Sequence, residues 1–415
     1  MVTPARLALA AWLLALPAAA QQAPRPLFPT EPPPSPPVTV SPDGPIGVQD
    51  LPAPAAPTAG LAAAEVELAG PLWGNGAPPG LAGLLERLPT AIQEPTLREL
   101  QRALLAAPGP GELGADGLVG VRAARLLAMG EAATALELLE ATPPTPEFDA
   151  LRLRAGLAAG RTEAACATAT ATDGSPWLEA RLVCAGLARD AAAVDLALER
   201  LAADGVTPDP NLAGLARAAA GGTRYELRPP VADDTLLVPL LRVVPVDLDA
   251  SAAAGLPVVA RRALADNPGL SSATRAAVLP APGPGPSIRP ELTGAEPGDW
   301  AAAAASVPQE QRARWAALVD GLGVPVPDAV WDGLATTAVP DPGPPPELAL
   351  WRGFELARLA EQRGGVLLFA LLLLDGQPAA AAPVTLRRAL DALIALGLER
   401  DARALAAGTG GALGL

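Results

Sequence analysis

Three short phrases stand thirty residues apart in the middle of the chain. They restrict the fold more than any other feature. They are Leu127-Ala128-Met129-Gly130, Leu157-Ala158-Ala159-Gly160 and Leu187-Ala188-Arg189-Asp190. Each closes one apolar-periodic run and opens onto another. A fixed step of this kind is the mark of helical hairpins stacked in series, because one hairpin cannot bury its apolar face alone. The starts of the runs share a grammar as well. Thr145-Pro146-Glu147 and Ser175-Pro176-Trp177-Leu178-Glu179 combine a capping hydroxyl, a first-turn proline and an acid near the positive end of the helix dipole. Asp116 is expected to cap a helix over Gly117–Met129, and Thr207-Pro208 to open one running to Ala220. Between these fall Glu131–Ala141, Thr162–Thr172 and Ala191–Ala203.

The predicted fold class is therefore all-α, an α-solenoid of stacked hairpins. Aromatic residues make up only 3% of a chain that is 50% apolar, so its core must be leucine and alanine packed between close helices. Upstream, Leu97, Leu100, Leu104 and Leu105 share one face of a helix over Pro95–Ala107, and Leu81–Leu88 forms a shorter one. Downstream the pattern loosens. Helices are expected at Leu256–Ala265 and Ser271–Leu279, and Val243–Val246 has an extended reading. Pro280–Pro286 reads as a hinge. Helices then follow over Val307–Leu322, Pro327–Thr337 and Pro346–Gln362. The aliphatic run Val366–Leu374 is too short to span a bilayer and reads as a fully buried helix. Pro383 opens the next helix. The expected division is 1–20 leader, 21–60 Pro-rich linker, 61–280 helical-repeat domain, 281–296 linker, 297–407 second helical section and 408–415 flexible tail.

The first twenty residues read as a secretory leader. Arg6 precedes the apolar run Leu7–Leu16, Pro17 breaks it, and Ala18-Ala19-Ala20 places small residues before a cut between Ala20 and Gln21. Residues 21–60 are so rich in proline that no helix or central strand can form there. The expected location is the periplasm, with no stable membrane insertion after cleavage. The formal net charge of −14 argues against nucleic acid, whose phosphates the chain would repel.

The sequence also limits the chemistry. There is no histidine, and all 30 basic residues are arginine. Ser-His-Asp and Cys-His nucleophiles, histidine bases and nearly every catalytic zinc site are excluded, as are Ser-Lys dyads, Schiff bases and the lysine of a Walker loop. No catalytic, cofactor-binding or metal-binding residue is predicted. Cys166 and Cys184 are the two cysteines, expected to form a disulfide in an oxidising compartment; a redox pair and two unbonded thiols are the alternatives. Asp233-Asp234 and Glu179 are candidate carboxylates for glycosidase chemistry, with helix capping as the competing account. Arg261-Arg262 and Arg387-Arg388 read as solvated helix faces, and Trp177, Trp300, Trp315, Trp331 and Trp351 as core anchors. Gly408-Thr409-Gly410-Gly411 imitates a phosphate loop but lacks the strand and helix that such a loop needs. The Ala/Thr alternation over 167–172 lies inside a predicted helix.

Pro176 through Ala188, with its Trp, Cys and short turn, and the closing Ala395–Arg403 resemble uncharacterised alphaproteobacterial exported helical-repeat proteins. The hairpin grammar is similar to that of TPR-like α-solenoids. This resemblance implies no active site. Export, stacked hairpins and the missing catalytic residue types together predict a scaffold whose concave face holds an envelope protein. The alternative expectation is a peptidoglycan-acting hydrolase or lytic enzyme with a helical superhelix.

Overall fold

The structure is a computed structural model. It describes residues 72–109, 118–172, 174–231, 234–248, 252–253, 255–278, 307–336 and 347–413. The chain divides into Met1–Ala55 and Ala56–Leu415, and the described residues all belong to the second unit. The leader with Arg6, the cut at Ala20 and Gln21, the 21–60 segment, Asp116, Asp233, the 280–286 hinge and Trp300 lie outside the described residues.

Eighteen α-helices dominate the described residues. The first is α1 (Leu81–Glu86), followed by α2 (Pro95–Ala106), α3 (Val119–Ala128), α4 (Ala132–Glu140), α5 (Pro146–Ala158), α6 (Thr162–Ala171), α7 (Ser175–Leu187), α8 (Ala191–Ala203) and α9 (Pro210–Gly221). Several starts differ from the expected grammar. Thr145 stands at the N-cap of α5, but its hydroxyl makes no capping bond. Gly174, not Ser175, caps α7. The helix expected from Thr207-Pro208 begins at Pro210, where Asp209 Oδ1 accepts from the Asn211 and Leu212 amides at 2.8 and 3.1 Å. An aspartate accepts two amide bonds there, and that outcompetes a threonine two residues earlier.

The three repeated phrases end α3, α5 and α7. In each the chain turns through a left-handed residue, at Gly130, Gly160 and Arg189. The returning amide of Glu131, Arg161 or Asp190 donates to Leu126, Gly156 or Ala185, at 2.8, 2.8 and 3.0 Å. This is the Schellman arrangement. The turns thus fall at 130, 160 and 189, so the structural step is 30 and then 29 residues. The even spacing of the three phrases is off by one at the third, where Gly186, not Leu187, occupies the place of Leu157. The loop before α7 is two residues shorter than the loop before α5 and α6 is one residue longer than α4, which accounts for the difference.

A second periodicity follows the same step. Arg122, Arg152 and Arg181 each reach back to the carboxyl end of the preceding helix. Arg122 Nε donates to Leu105 O at 2.6 Å and its Nη2 to Ala107 O. Arg152 Nη2 donates to Leu139, Thr142 and Pro143 carbonyls at 3.0 to 3.1 Å. Arg181 donates to Ala169 O at 2.7 Å and Thr172 O at 2.5 Å. The last carbonyls of a helix have no partner within it, and a guanidinium at that end also meets the negative pole of the helix dipole.

Helices α3, α5 and α7 pack side by side with α9 next to α7, while α4, α6 and α8 attach to their flank. The exposed side of that inner row is occupied by the chain itself. Helix α10 (Leu237–Val243) packs on α5, α7 and α9, and α11 (Val258–Ala265) packs on α3 and α10. Arg242 Nη1 donates to Ala158 O at 2.6 Å and Arg262 Nη1 to Met129 O at 2.5 Å, at the ends of α5 and α3. Of the stretch expected to be extended, Val243–Val246, only Val246 is a strand residue: Val243 ends α10, and β2 (Val246–Asp247) pairs in parallel with β1 (Tyr225–Glu226). Helix α12 (Ser272–Val278) closes this part.

The second section holds α13 (Arg312–Gly321), α14 (Asp328–Thr336), α15 (Leu348–Leu359), α16 (Arg363–Leu374), α17 (Pro383–Ala395) and α18 (Glu399–Leu413). Helix α16 is buried from Gly364 to Leu372. One apolar core runs from Leu72 through α3 to α9 and on to Ala406, and α2 joins its halves by packing on α16 and α18. Residues 72–94 strap onto the second section. The Gly364 amide donates to Leu72 O at 2.7 Å, Asn75 Nδ2 to Glu361 O at 3.0 Å, and Arg87 meets Glu347 at 2.6 Å. The expected flexible tail from Gly408 is a correction: α18 continues to Leu413 with Thr409, Gly410 and Gly411 buried. Burial against neighbours offsets the low helix propensity of glycine. The Thr409 hydroxyl also donates to Leu405 O at 2.7 Å.

Candidate functional site

Helices α6 and α8 leave a groove between them. Its floor is the face of α7 that carries Cys184. Cys166 of α6 is bonded to Cys184, with Cα atoms 5.6 Å apart. The groove encloses about 470 Å³. Ala185, Ala188, Ala193 and Ala197 line it, and their small side chains leave the space open. Leu196 on its rim is 49% exposed, and Asp190 and Arg200 add charges of both signs. An apolar floor inside a charged rim suits an apolar side chain of a protein or peptide. The threonines of the Ala/Thr stretch offer no regular outer face. The Thr168, Thr170 and Thr172 hydroxyls donate to the Ala164, Cys166 and Thr168 carbonyls of their own helix.

A second constellation joins two carboxylates singled out in the sequence. Asp234 Oδ1 accepts from Arg154 Nη1 at 2.7 Å and from the Leu236 amide at 3.0 Å. Glu179 Oε2 lies 3.7 Å from Arg154 Nη2. Burial raises the Glu179 pKa above the usual carboxylate range; Asp234 adds to the rise and Arg154 opposes it. A carboxyl with raised proton affinity beside a second carboxylate is the electrostatic pattern of an acid and its partner. The same contacts also tie α5 and α7 to the turn before α10. Arg154, the residue that assembles the cluster, was missed by sequence reasoning. No sequence signal marks it, because Asp234 is 80 residues away along the chain.

The remaining candidates scatter. Trp177 and Trp315 are buried, Trp351 is half-buried beside Phe354 at 6.2 Å, and Trp331 is 38% exposed, so it is no core anchor. Arg387 pairs with Asp320, and Arg388 lies 3.9 Å from Asp391. Arg261 and Arg262, expected on a solvated face, instead line a cavity against α2. Among the described residues no three metal-ligating side chains cluster, and no helix is long and apolar enough to cross a membrane.

Comparison with protein-family models, with characterised proteins and with solved structures returns no match for this chain.

Proposed function

We propose that this chain is a non-catalytic helical-repeat scaffold of the cell envelope, an exported TPR-like α-solenoid that binds another protein. The observation that carries this reading is the open groove between α6 and α8, on the flank of the repeat stack. The turns at 130, 160 and 189 and the arginines at 122, 152 and 181 support a true repeat. The bonded cysteines support an oxidising compartment such as the periplasm. The expected mode of binding changes: the inner row is covered by α10 and α11, so the flank and not that row is available to a partner. A further apolar stripe, Leu348 and Leu359 of α15 at 81% and 72% exposure, offers a second contact.

The test is a crosslinking pull-down of the chain from envelope extracts, run beside Leu196→Glu. Leu196 is exposed, so the substitution leaves the core untouched. A partner captured by the parent and lost with the variant is the expected result. Equal capture by both removes the groove from the reading.

The second reading, a peptidoglycan-acting lytic enzyme, rests on Glu179 beside Asp234. It expects turnover of purified peptidoglycan that disappears with Glu179→Gln. No turnover by the parent chain ends it.

A further inference from the structure

A cavity of about 380 Å³ lies where α11 and α12 meet the start of α2. Three arginines line it, Arg98, Arg261 and Arg262, in a chain whose net charge is −14. Their local compensation is thin. Glu131 serves two of them, at 2.8 Å from Arg262 Nη1 and 3.7 Å from Arg98 Nε. Asp266, at the rim, is 3.8 Å from Arg242 on the neighbouring helix. The Arg261 side chain has no hydrogen bond or ion pair among the described residues, and its Nε is buried without a partner. The Nη2 of Arg262 is buried without one as well.

Buried donors without acceptors are costly, more so on a charged group. The turn glycine at 130 leaves room for the Arg262 guanidinium: a Cβ there would stand 3.1 Å from Nη1. A planar guanidinium offers parallel N–H donors that match the two oxygens of a carboxylate. Apart from Gln93 and Asp266, the rest of the lining is apolar, from Ile92, Val258, Ala265 and Val278.

We propose that this cavity binds a small organic carboxylate, its head between Arg261 and Arg262 and its apolar body against Ile92, Val258 and Val278. The apolar wall gives inorganic phosphate nothing to bury, and the nearby Glu131 and Asp266 disfavour a second negative charge. This site goes beyond the protein-binding reading and does not depend on it.

The test is titration calorimetry on the full chain with acetate, hexanoate and benzoate, with inorganic phosphate and hexylammonium as counter-probes. Hexanoate or benzoate binds saturably, acetate more weakly, and the two counter-probes not at all. Arg261→Gln weakens binding by about tenfold, roughly one lost charge-assisted contact. Arg217→Gln, at an exposed arginine 4.0 Å from Asp195, leaves it unchanged. A second measurement needs no variant: phenylglyoxal modifies Arg261, and the bound carboxylate protects it, read by mass spectrometry. The proposal is overturned if no carboxylate binds, if phosphate binds as well as hexanoate, if Arg261→Gln binds like the parent, or if modification of Arg261 is indifferent to the carboxylates.

Discussion

Replacing Arg122 with methionine tests the idea that Arg122, Arg152 and Arg181 close the ends of the helices before them. The side chain is 5% exposed and donates to Leu105 O and Ala107 O at the end of α2. Methionine keeps the apolar stem and removes both donors. Each carbonyl left buried without a partner costs about 1–3 kcal/mol. Part of this is offset, because the guanidinium is itself penalised by burial, which lowers its pKa to about 10. The net loss expected for Arg122→Met is about 2–3 kcal/mol. The control is Arg161→Met. That arginine pairs with Glu140 at 3.2 Å with both side chains about half exposed, and such a pair contributes less than about 1 kcal/mol. Urea unfolding followed by far-ultraviolet circular dichroism gives both values, with the slope checked for constancy. If Arg122→Met lies within about 0.5 kcal/mol of the parent, or matches the control, then water satisfies those carbonyls and the capping argument is wrong.

Removing the disulfide with Cys166→Ala and Cys184→Ala together opens a link between residues 18 apart. The expected loss is about 3 kcal/mol in urea unfolding by the loop-entropy model. Gly364→Ala drives a methyl into the Trp73 ring, where a Cβ would stand 2.6 Å from Cε3. It is expected to cost about 1–3 kcal/mol and to expose the 72–94 strap to limited proteolysis; an unchanged digestion pattern would show that the strap does not depend on this contact. Glu179→Gln probes the raised carboxyl. A raised folded-state pKa binds the proton more tightly than the unfolded chain does, so its stabilising effect is full below the unfolded value of 4.5 and is lost as pH rises through the folded pKa. The parent should therefore gain stability relative to Glu179→Gln as pH falls from 7 to 4; parallel curves would refute the shift.

Helices and their order were legible because local signals specify them. Pro95, Pro146 and Pro383 sit at first-turn positions, and the aliphatic run ending at Leu374 is the buried helix its composition demanded. Arg122, Arg152 and Arg181 follow the 30- and 29-residue steps of the turns, yet nothing in the sequence marks them, because their partners are main-chain carbonyls that no side-chain pattern reveals. Long-range contacts were illegible for the same reason. Nothing near Gly408 announces that a Cβ there would meet Glu94 Oε1 at 2.9 Å, so a glycine-rich end looked frayed when it is a packed helix. Arg261 and Arg262 follow this rule too: a cavity formed with α2 depends on residues more than 150 positions away.

The strap has a consequence for how the chain is made. Arg87 waits for Glu347, 260 residues later, and Asn75 for Glu361, 286 residues later. At ~5–20 residues per second that is an interval of roughly a quarter-minute to a minute. Throughout it, the side of α2 that will meet α16 and α18 has no cover. Helices α3 to α9 can close on one another without the second section, but the molecule can be finished only after its last helix has joined them. A chain arranged in this way places its greatest risk of misassociation at the beginning of its synthesis and its only remedy at the end.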